Sequence, residues 1–284
     1  MDKLKLIKDI IIKSTEKPVK SYFDSNLSVH TLLCSKHVPF YLYSIKTFLE
    51  FSGLRCRVFV YDDGTLTEDD QALIKKAVKN VKIMSLKDNK IPNKLNRHPN
   101  CLNFFKKNIF GKRLFGIYFS AKTDKIIILD SDVLFFKKPK EIINWAKSKK
   151  RYTLFNKDLG KDGSIIFNKE DFKRFGIKKI DYFNAGLVCT HRSFIDLGSA
   201  ERIIEYMHKY KKDALYWKWT SEQTALAVLI SRFENKALPD TYFFCADDIS
   251  GRNIQDFVSK HYSQFARNYF FTEGVRYLIE SNKI

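Results

Sequence analysis

The chain has 284 residues, 44% of them hydrophobic, which suits one large α/β domain or two small ones with a sizeable core. Its 51 Lys and Arg against 32 Asp and Glu leave a net charge of +19, a balance that attracts polyanions: nucleotide phosphates, anionic lipid or nucleic acid. Five scattered cysteines with no Cys-x-x-Cys argue against a disulfide framework and a zinc site and for reduced thiols in the cytoplasm, and no apolar stretch approaches the ~20 residues of a membrane span.

Residues 2–13 place Leu4, Ile7 and Ile11 on one helical stripe among Lys3, Lys5, Lys8 and Lys13. A basic amphipathic helix of this kind lies peripherally on an anionic membrane or packs on its own domain. It lacks the uninterrupted apolar core of a secretory signal, and residues 1–25 read as an N-terminal extension. His30 to Cys34 reads as the first strand, Val38 to Phe51 as a helix stopped by Ser52-Gly53, and Cys56 to Tyr61 as the second strand. Asp62-Asp63-Gly64-Thr65 is a turn sequence. Thr67 then caps a helix whose first turn is acidic. Val81 to Met84 is a third short strand, residues 87–100 a loop with two prolines, and 101–121 a helix carrying Lys112 and Arg113.

The stretch 125–139 organises the chain. Ile126 to Leu129 form a continuous apolar run, the mark of a strand buried on both faces. The run ends in Asp130-Ser131-Asp132. In extended backbone, period two puts both carboxylates on one side, at the strand end where open α/β sheets bind ligands. A divalent cation with oxygen ligands is the economical counter-charge; a solvated turn is the bland alternative. Glu141 to Lys149 reads as a helix, Tyr152 to Phe155 and Ser164 to Asn168 as strands. Tyr182 to Cys189 reads as a strand interrupted near Ala185-Gly186. Phe194 to Tyr210 and Ser221 to Phe233 read as helices, the second capped by Thr220 or Ser221. Residues 238–246 are strand-like, and the tail after His261-Tyr262 is helical. Alternating strands and helices without a linker predict one domain, 1–284, with a Rossmann-like, mostly parallel α/β sheet and helices on both faces.

Taken in order, these pieces resemble the nucleotide-sugar glycosyltransferases of the GT-A fold, especially the glycogenin and lipopolysaccharide galactosyltransferase group and its bacterial relatives. The resemblance covers residues 28–280. It rests on the first βαβ unit, the basic helix before Asp130-Ser131-Asp132, Phe183-Asn184-Ala185-Gly186, Glu222-Gln223, Leu238-Pro239 and His261-Tyr262. It implies a hexosyltransferase, retaining by resemblance, that moves sugar from a nucleotide-sugar donor, a UDP-sugar, to a glycan or lipid-linked acceptor in surface glycan synthesis. Asp130, Asp132 and His261 would hold Mn²⁺ or Mg²⁺, which stabilises a leaving diphosphate; an imidazole favours Mn²⁺. The resemblance puts Asp62 and Asp63 at the base or ribose, with an Asx turn holding Gly64 as the equal alternative. Lys112, Arg113 and Ser131 fall to the donor side, where Arg113 offers a bidentate fork; a solvated helix face competes for Lys112 and Arg113. Asn184, Ala185 and Gly186 would lie against the sugar, Gly186 allowing close backbone approach, with a β-bulge as the bland reading. Glu222 and Gln223 would sit beneath the donor sugar as catalytic groups.

Two other classes compete. A phosphohydrolase of the haloacid-dehalogenase type also ends an apolar strand in Asp-x-Asp, with Asp130 as nucleophile and Asp247-Asp248 as magnesium ligands. That fold, however, begins with its nucleophile strand, and here 129 residues precede it. A nucleic-acid-binding protein would explain the charge, but the basic residues are dispersed and carry no recognition motif, so no nucleic-acid partner is expected.

Overall fold

The computed structural model describes residues 15–86, 90–158, 165–178, 180, 182–211, 219–245 and 253–284. The helix expected over 2–13, Ser164 and the Asp247-Asp248 pair lie outside them.

Twelve strands are described: β1 Val19–Lys20, β2 Leu27–Leu33, β3 Arg57–Asp62, β4 Val78–Lys79, β5 Lys82–Ser85, β6 Lys125–Leu129, β7 Val133–Phe135, β8 Thr153–Lys157, β9 Phe183–His191, β10 Asn235–Ala237, β11 Tyr242–Cys245 and β12 Ser259–Tyr262. Seven make the central sheet, in the order β10-β8-β9-β6-β2-β3-β5. All neighbours are parallel except β9, which runs antiparallel to both β6 and β8. Alternation along β6 explains its unbroken apolar run. Ile126 and Ile128 join a core cluster with the helices Ile109–Ser120 and Trp219–Ile230. Ile127 and Leu129 join the opposite cluster, under the helix Val38–Ser52.

Strand order locates the ligand crevice. The chain builds β2, β3 and β5 outward in one direction and then returns to lay β6 on the other side of β2. The reversal between β2 and β6 is a topological switch point, and ligands bind beyond the carboxyl ends of the strands there. Because β9 is antiparallel, its start, not its end, lies at this edge: Leu129 pairs with Leu187, and the Asp130 N–H donates to the Gly186 carbonyl at 2.7 Å.

A second sheet, β11-β12-β7, forms the far wall. The chain leaves β6, turns through Asp130-Ser131-Asp132, and enters β7, so the two aspartates sit in a turn between sheets and not in extended backbone. β12 runs antiparallel to β7 with His261 opposite Val133, and the Tyr262 N–H donates to the Asp132 carbonyl at 2.9 Å.

Several local expectations change. Residues 101–121 are two helices, Pro99–Lys107 and Ile109–Ser120. Asn108 breaks them, its Oδ1 accepting from the N–H groups of Phe110 and Gly111. A short helix, Lys90–Lys94, lies in the supposed proline loop. Residues 165–168 are not a strand; Asn168 instead caps the helix Lys169–Arg174 in a capping box with Asp171. Thr220 and Ser221 lie inside the helix Trp219–Ile230 and do not cap it. Of the strand-like 238–246, Tyr242–Cys245 forms β11, and Leu238-Pro239 lies in the connection from β10. Val19–Lys20, read as part of the extension, pairs with Val78–Lys79. No helix among the described residues is long and apolar enough to cross a membrane.

Candidate active site

Three ligand-bearing side chains converge beyond the switch point. One atom each of Asp130, Asp132 and His261 lies within 4.8 Å of the other two. His261 Nε2 is 3.1 Å from Asp132 Oδ1 and 3.9 Å from Asp130 Oδ2. Ligand atoms of one cation, held by bonds of roughly 2.1 Å, stand roughly 3–4 Å apart, so these residues fit a divalent ion with little movement.

Each aspartate gives its other oxygen to an arginine. Arg113 Nη1 is 2.6 Å from Asp130 Oδ1, and Arg267 Nε is 2.6 Å from Asp132 Oδ2. The remaining oxygens, Asp130 Oδ2 and Asp132 Oδ1, are the ones that face His261. The arginines therefore fix the carboxylates in rotation and leave one oxygen of each for a cation. Burial pushes the Asp132 carboxyl up, but His261 and Arg267 outweigh it and hold it well below the usual carboxylate range. Burial pulls His261 down, and Asp132 more than reverses this.

Arg113 also clamps Glu222, with Nη2 to Oε2 at 2.6 Å and Nε to Oε1 at 3.2 Å. Both side chains are almost completely buried. Desolvation raises the Glu222 pKa, with Arg113 opposing. Three carboxylates against two guanidiniums leave the cluster one charge negative, which a divalent cation reverses in time for an anionic ligand.

Glycine at 186 makes room for the imidazole. A Cβ built there would stand 2.2 Å from His261 Cε1 and 2.6 Å from Nδ1. The register of β8 on β9 shifts between Phe155 and Asn156, where the partner jumps from Val188 to Asn184. A bulge forms at Ala185-Gly186, and His261 packs closely against it. The bulge is pinned by Asn184 Oδ1 accepting from the Gly186 N–H at 2.9 Å and by Gln223 Oε1 accepting from the Ala185 N–H at 2.9 Å.

The other expected residues sit at the same edge with quieter contacts. Asp62 Oδ1 accepts from the N–H groups of Gly64 and Leu66, and Asp63 Oδ1 from Thr65, so both aspartates close the Asx turn. His37 lies 3.4 Å from Ser131 Oγ. Burial and Arg267 lower its pKa, against the charges of Asp132, Asp130 and Asp63, which places Asp63 among the groups around this crevice. Arg113 reaches the carboxylates; Lys112, half-buried on the same helix, pairs with no acidic side chain among the described residues.

Arg267 was not singled out from the sequence. Its one signal is the His-Tyr…Arg…Phe…Glu-Gly pattern of the tail, which assigns it no role. It arrives because Gln264, at φ 49°, turns the chain after β12, and because the tail is tied down behind it. Lys260 Nζ reaches both carboxylate oxygens of Glu273, at 2.8 and 3.0 Å, and a Cβ at Gly274 would strike Leu134 at 2.5 Å.

No family model matches the chain, and no curated protein matches its sequence. Solved structures do match its fold. The galactosyltransferase LgtC, in complex with donor and acceptor sugar analogs, is 16% identical over 89% of this chain and 94% of that one, with a TM-score of 0.58. Mouse xyloside xylosyltransferase 1, in its apo form, is 10% identical over 86% of this chain and 98% of that one, with a TM-score of 0.51. The apo glycosyltransferase GlyE of Streptococcus pneumoniae TIGR4 is 11% identical over 86% of this chain and 59% of that one, with a TM-score of 0.54. The chain has the GT-A fold of the nucleotide-sugar glycosyltransferases, with an Asp-x-Asp at its switch point.

Proposed function

We propose that the chain is a metal-dependent glycosyltransferase, acting as one catalytic domain, that moves a hexose from a UDP-sugar to a saccharide or lipid-linked acceptor in surface glycan synthesis, with retention. The observation that carries this reading is the convergence of Asp130 Oδ2, Asp132 Oδ1 and His261 Nε2 at the switch point, with an arginine behind each aspartate. Bound there, Mn²⁺ or Mg²⁺ supplies Lewis-acid stabilisation of a departing diphosphate, and the imidazole favours Mn²⁺.

The chain's own residues then divide the work. Asp130, Asp132 and His261 are the metal ligands. Arg267, with its side chain 38% exposed beside Asp132, reaches for the diphosphate, and its planar fork suits phosphate oxygens; Lys112 adds positive charge on the same side. Glu222 has both oxygens on Arg113, which suits a positioning residue that fixes Arg113 and, through it, Asp130. Gln223 and Asn184 shape the floor under the sugar by holding the Ala185-Gly186 bulge. Asp62 and Asp63 form the turn that borders the nucleotide. Free thiols at Cys34, Cys56, Cys101 and Cys189 fit a cytoplasmic setting, and the basic residues 2–13 would touch an anionic membrane surface near the acceptor.

A panel of UDP-sugars incubated with Mn²⁺ tests the reading. Release of UDP from one or more of them, abolished by chelator, is expected. Failure of the chain to bind UDP with Mn²⁺, or turnover indifferent to chelator, defeats it.

A further inference from the structure

The sheet edge opposite the switch point is concave as well. There β2 and β6 begin, at Leu27 and Lys125, and the antiparallel β9 ends, at His191. These residues line a cavity of about 810 Å³. A strand rises about 3.3 Å per residue, which puts Lys125 roughly 17 Å from Asp130, so this cavity is separate from the crevice. Six of its fifteen lining residues are Lys or Arg, against 51 of 284 in the chain. The concentration therefore exceeds the chain's general excess of positive charge. The six are Arg55, Lys122, Lys125, Lys147, Lys149 and Arg151, and Asp124 is the sole acid in the lining.

The negative charge at this edge is already matched. Asp124 Oδ1 accepts from the Ser193 N–H at 3.1 Å and from its hydroxyl at 2.6 Å. Oδ2 faces His191 Nδ1 at 2.7 Å and Arg151 Nη2 at 3.4 Å. Burial pushes the Asp124 carboxyl up, but the bonds from Ser193 and His191 outweigh it and hold it down at about 2. The helix Lys140–Lys147 ends at the cavity, and a helix C-terminus carries partial negative charge. Lys125 covers that end, its Nζ donating to the carbonyls of Trp145, Ala146 and Ser148 at 3.2, 2.7 and 2.6 Å. What remains is positive. Lys122, Lys147 and Lys149 are exposed and pair with no acidic side chain among the described residues. Ammonium groups gathered round one space repel one another, and a multivalent anion relieves that repulsion. A phosphate group suits them: it carries up to two charges and offers acceptor oxygens on several sides, so lysines arriving from two segments can each donate to it.

We propose that this cavity is a binding site for a phosphate group, remote from the catalytic crevice. The proposal does not depend on the transferase reading. The phosphate belongs to a free small anion or to the head of an anionic lipid, and two arms of one experiment separate these sources.

The full chain is compared with a triple variant, Lys122→Gln with Lys147→Gln and Lys149→Gln. A control of equal charge change carries Lys75→Gln, Lys76→Gln and Lys79→Gln, exposed residues outside the cavity. In the first arm inorganic phosphate is titrated by calorimetry with chelator present. In the second, the three proteins are sedimented with vesicles of phosphatidylcholine alone or in equal parts with phosphatidic acid. Saturable binding is expected, weakened roughly tenfold in the cavity variant, about 1.4 kcal/mol, and less than twofold in the control. Cavity-dependent binding of phosphate alone assigns the site to a free anion; cavity-dependent binding to the phosphatidic-acid vesicles assigns it to a lipid head. Equal losses in the two variants mean diffuse surface charge and overturn the proposal, as does the absence of saturable binding in both arms. UDP–Mn²⁺ affinity should stay within twofold of wild type in the cavity variant; a parallel loss would mean that these lysines serve the crevice, and overturns the proposal too. Failure of the wild type to bind UDP–Mn²⁺ defeats the transferase reading and leaves this site standing.

Discussion

Replacing Gly186 by alanine should disable the metal site through one methyl group. The new Cβ would lie 2.2 Å from His261 Cε1, and ordinary contact begins near 3.4 Å, so one partner must yield by about 1.2 Å. Gly186 cannot retreat, because its carbonyl accepts from the Asp130 N–H and its N–H donates to Asn184. His261 is hemmed in too: β12 is paired on both sides, and Phe244 packs edge-on against the ring at 5.2 Å. The imidazole must therefore swing away from Asp132, while a metal site tolerates errors of only about 0.2 Å in ligand distance. Overpacking of this kind costs roughly 1–3 kcal/mol. Titration of Mn²⁺ with UDP present should show at least a tenfold loss of affinity. In a His261→Ala background the same substitution should cost nothing more, a non-additivity that a double-mutant cycle reads directly. Wild-type Mn²⁺ affinity in Gly186→Ala, or an equal further loss in the His261→Ala background, would refute the argument that the ring occupies the space the glycine leaves.

Three more outcomes are expected. Asp132→Asn should abolish Mn²⁺-dependent turnover and keep the fold, since the amide oxygen can still accept from Arg267; circular dichroism and UDP release check both halves. Arg113→Met strands the buried Glu222 charge and should cost about 3–5 kcal/mol, read as a melting temperature lower by roughly 10 °C. Adding Glu222→Leu should restore most of that stability without restoring turnover. Finally, burial pushes the His30 imidazole down to about 3, where Ser28 and Tyr61 hold its two nitrogens at 2.7 and 2.8 Å. The unfolded chain binds the extra proton first, so this contribution to stability is complete above pH ~6.5 and is lost as pH falls towards ~3. Roughly 3 kcal/mol should go between pH 7 and pH 4, and His30→Gln should flatten that part of a denaturant-midpoint profile; an unchanged slope would mean His30 is not held neutral.

What the sequence disclosed and what it hid follow from the range of the interactions. β6 was legible because burial on both faces leaves an unbroken apolar run, and Ile126 to Leu129 are that run. The Thr67 cap and the Gly53 stop were legible because capping is local, and both formed, Thr67 with Asp70 and Gly53 in the left-handed region at φ 62°. The partners of the aspartates were not. Arg113 and Glu222 are 109 residues apart and Arg267 and Asp132 are 135 apart, so no window of sequence contains either pair. Ser164 to Asn168 misled because its short apolar run, Ile165-Ile166-Phe167, suits a strand, while Asn168 and Asp171 form a capping box that the structure uses instead. Gly186 shows the limit most clearly. Its smallness suggested room for a sugar, and the structure shows His261 against it, a side chain from a strand in a second sheet whose register on β7 only the folded chain reveals. Sequence thus picked out Asp130, Asp132 and His261, and the packing of two sheets brought them together and decided which of their atoms face one another.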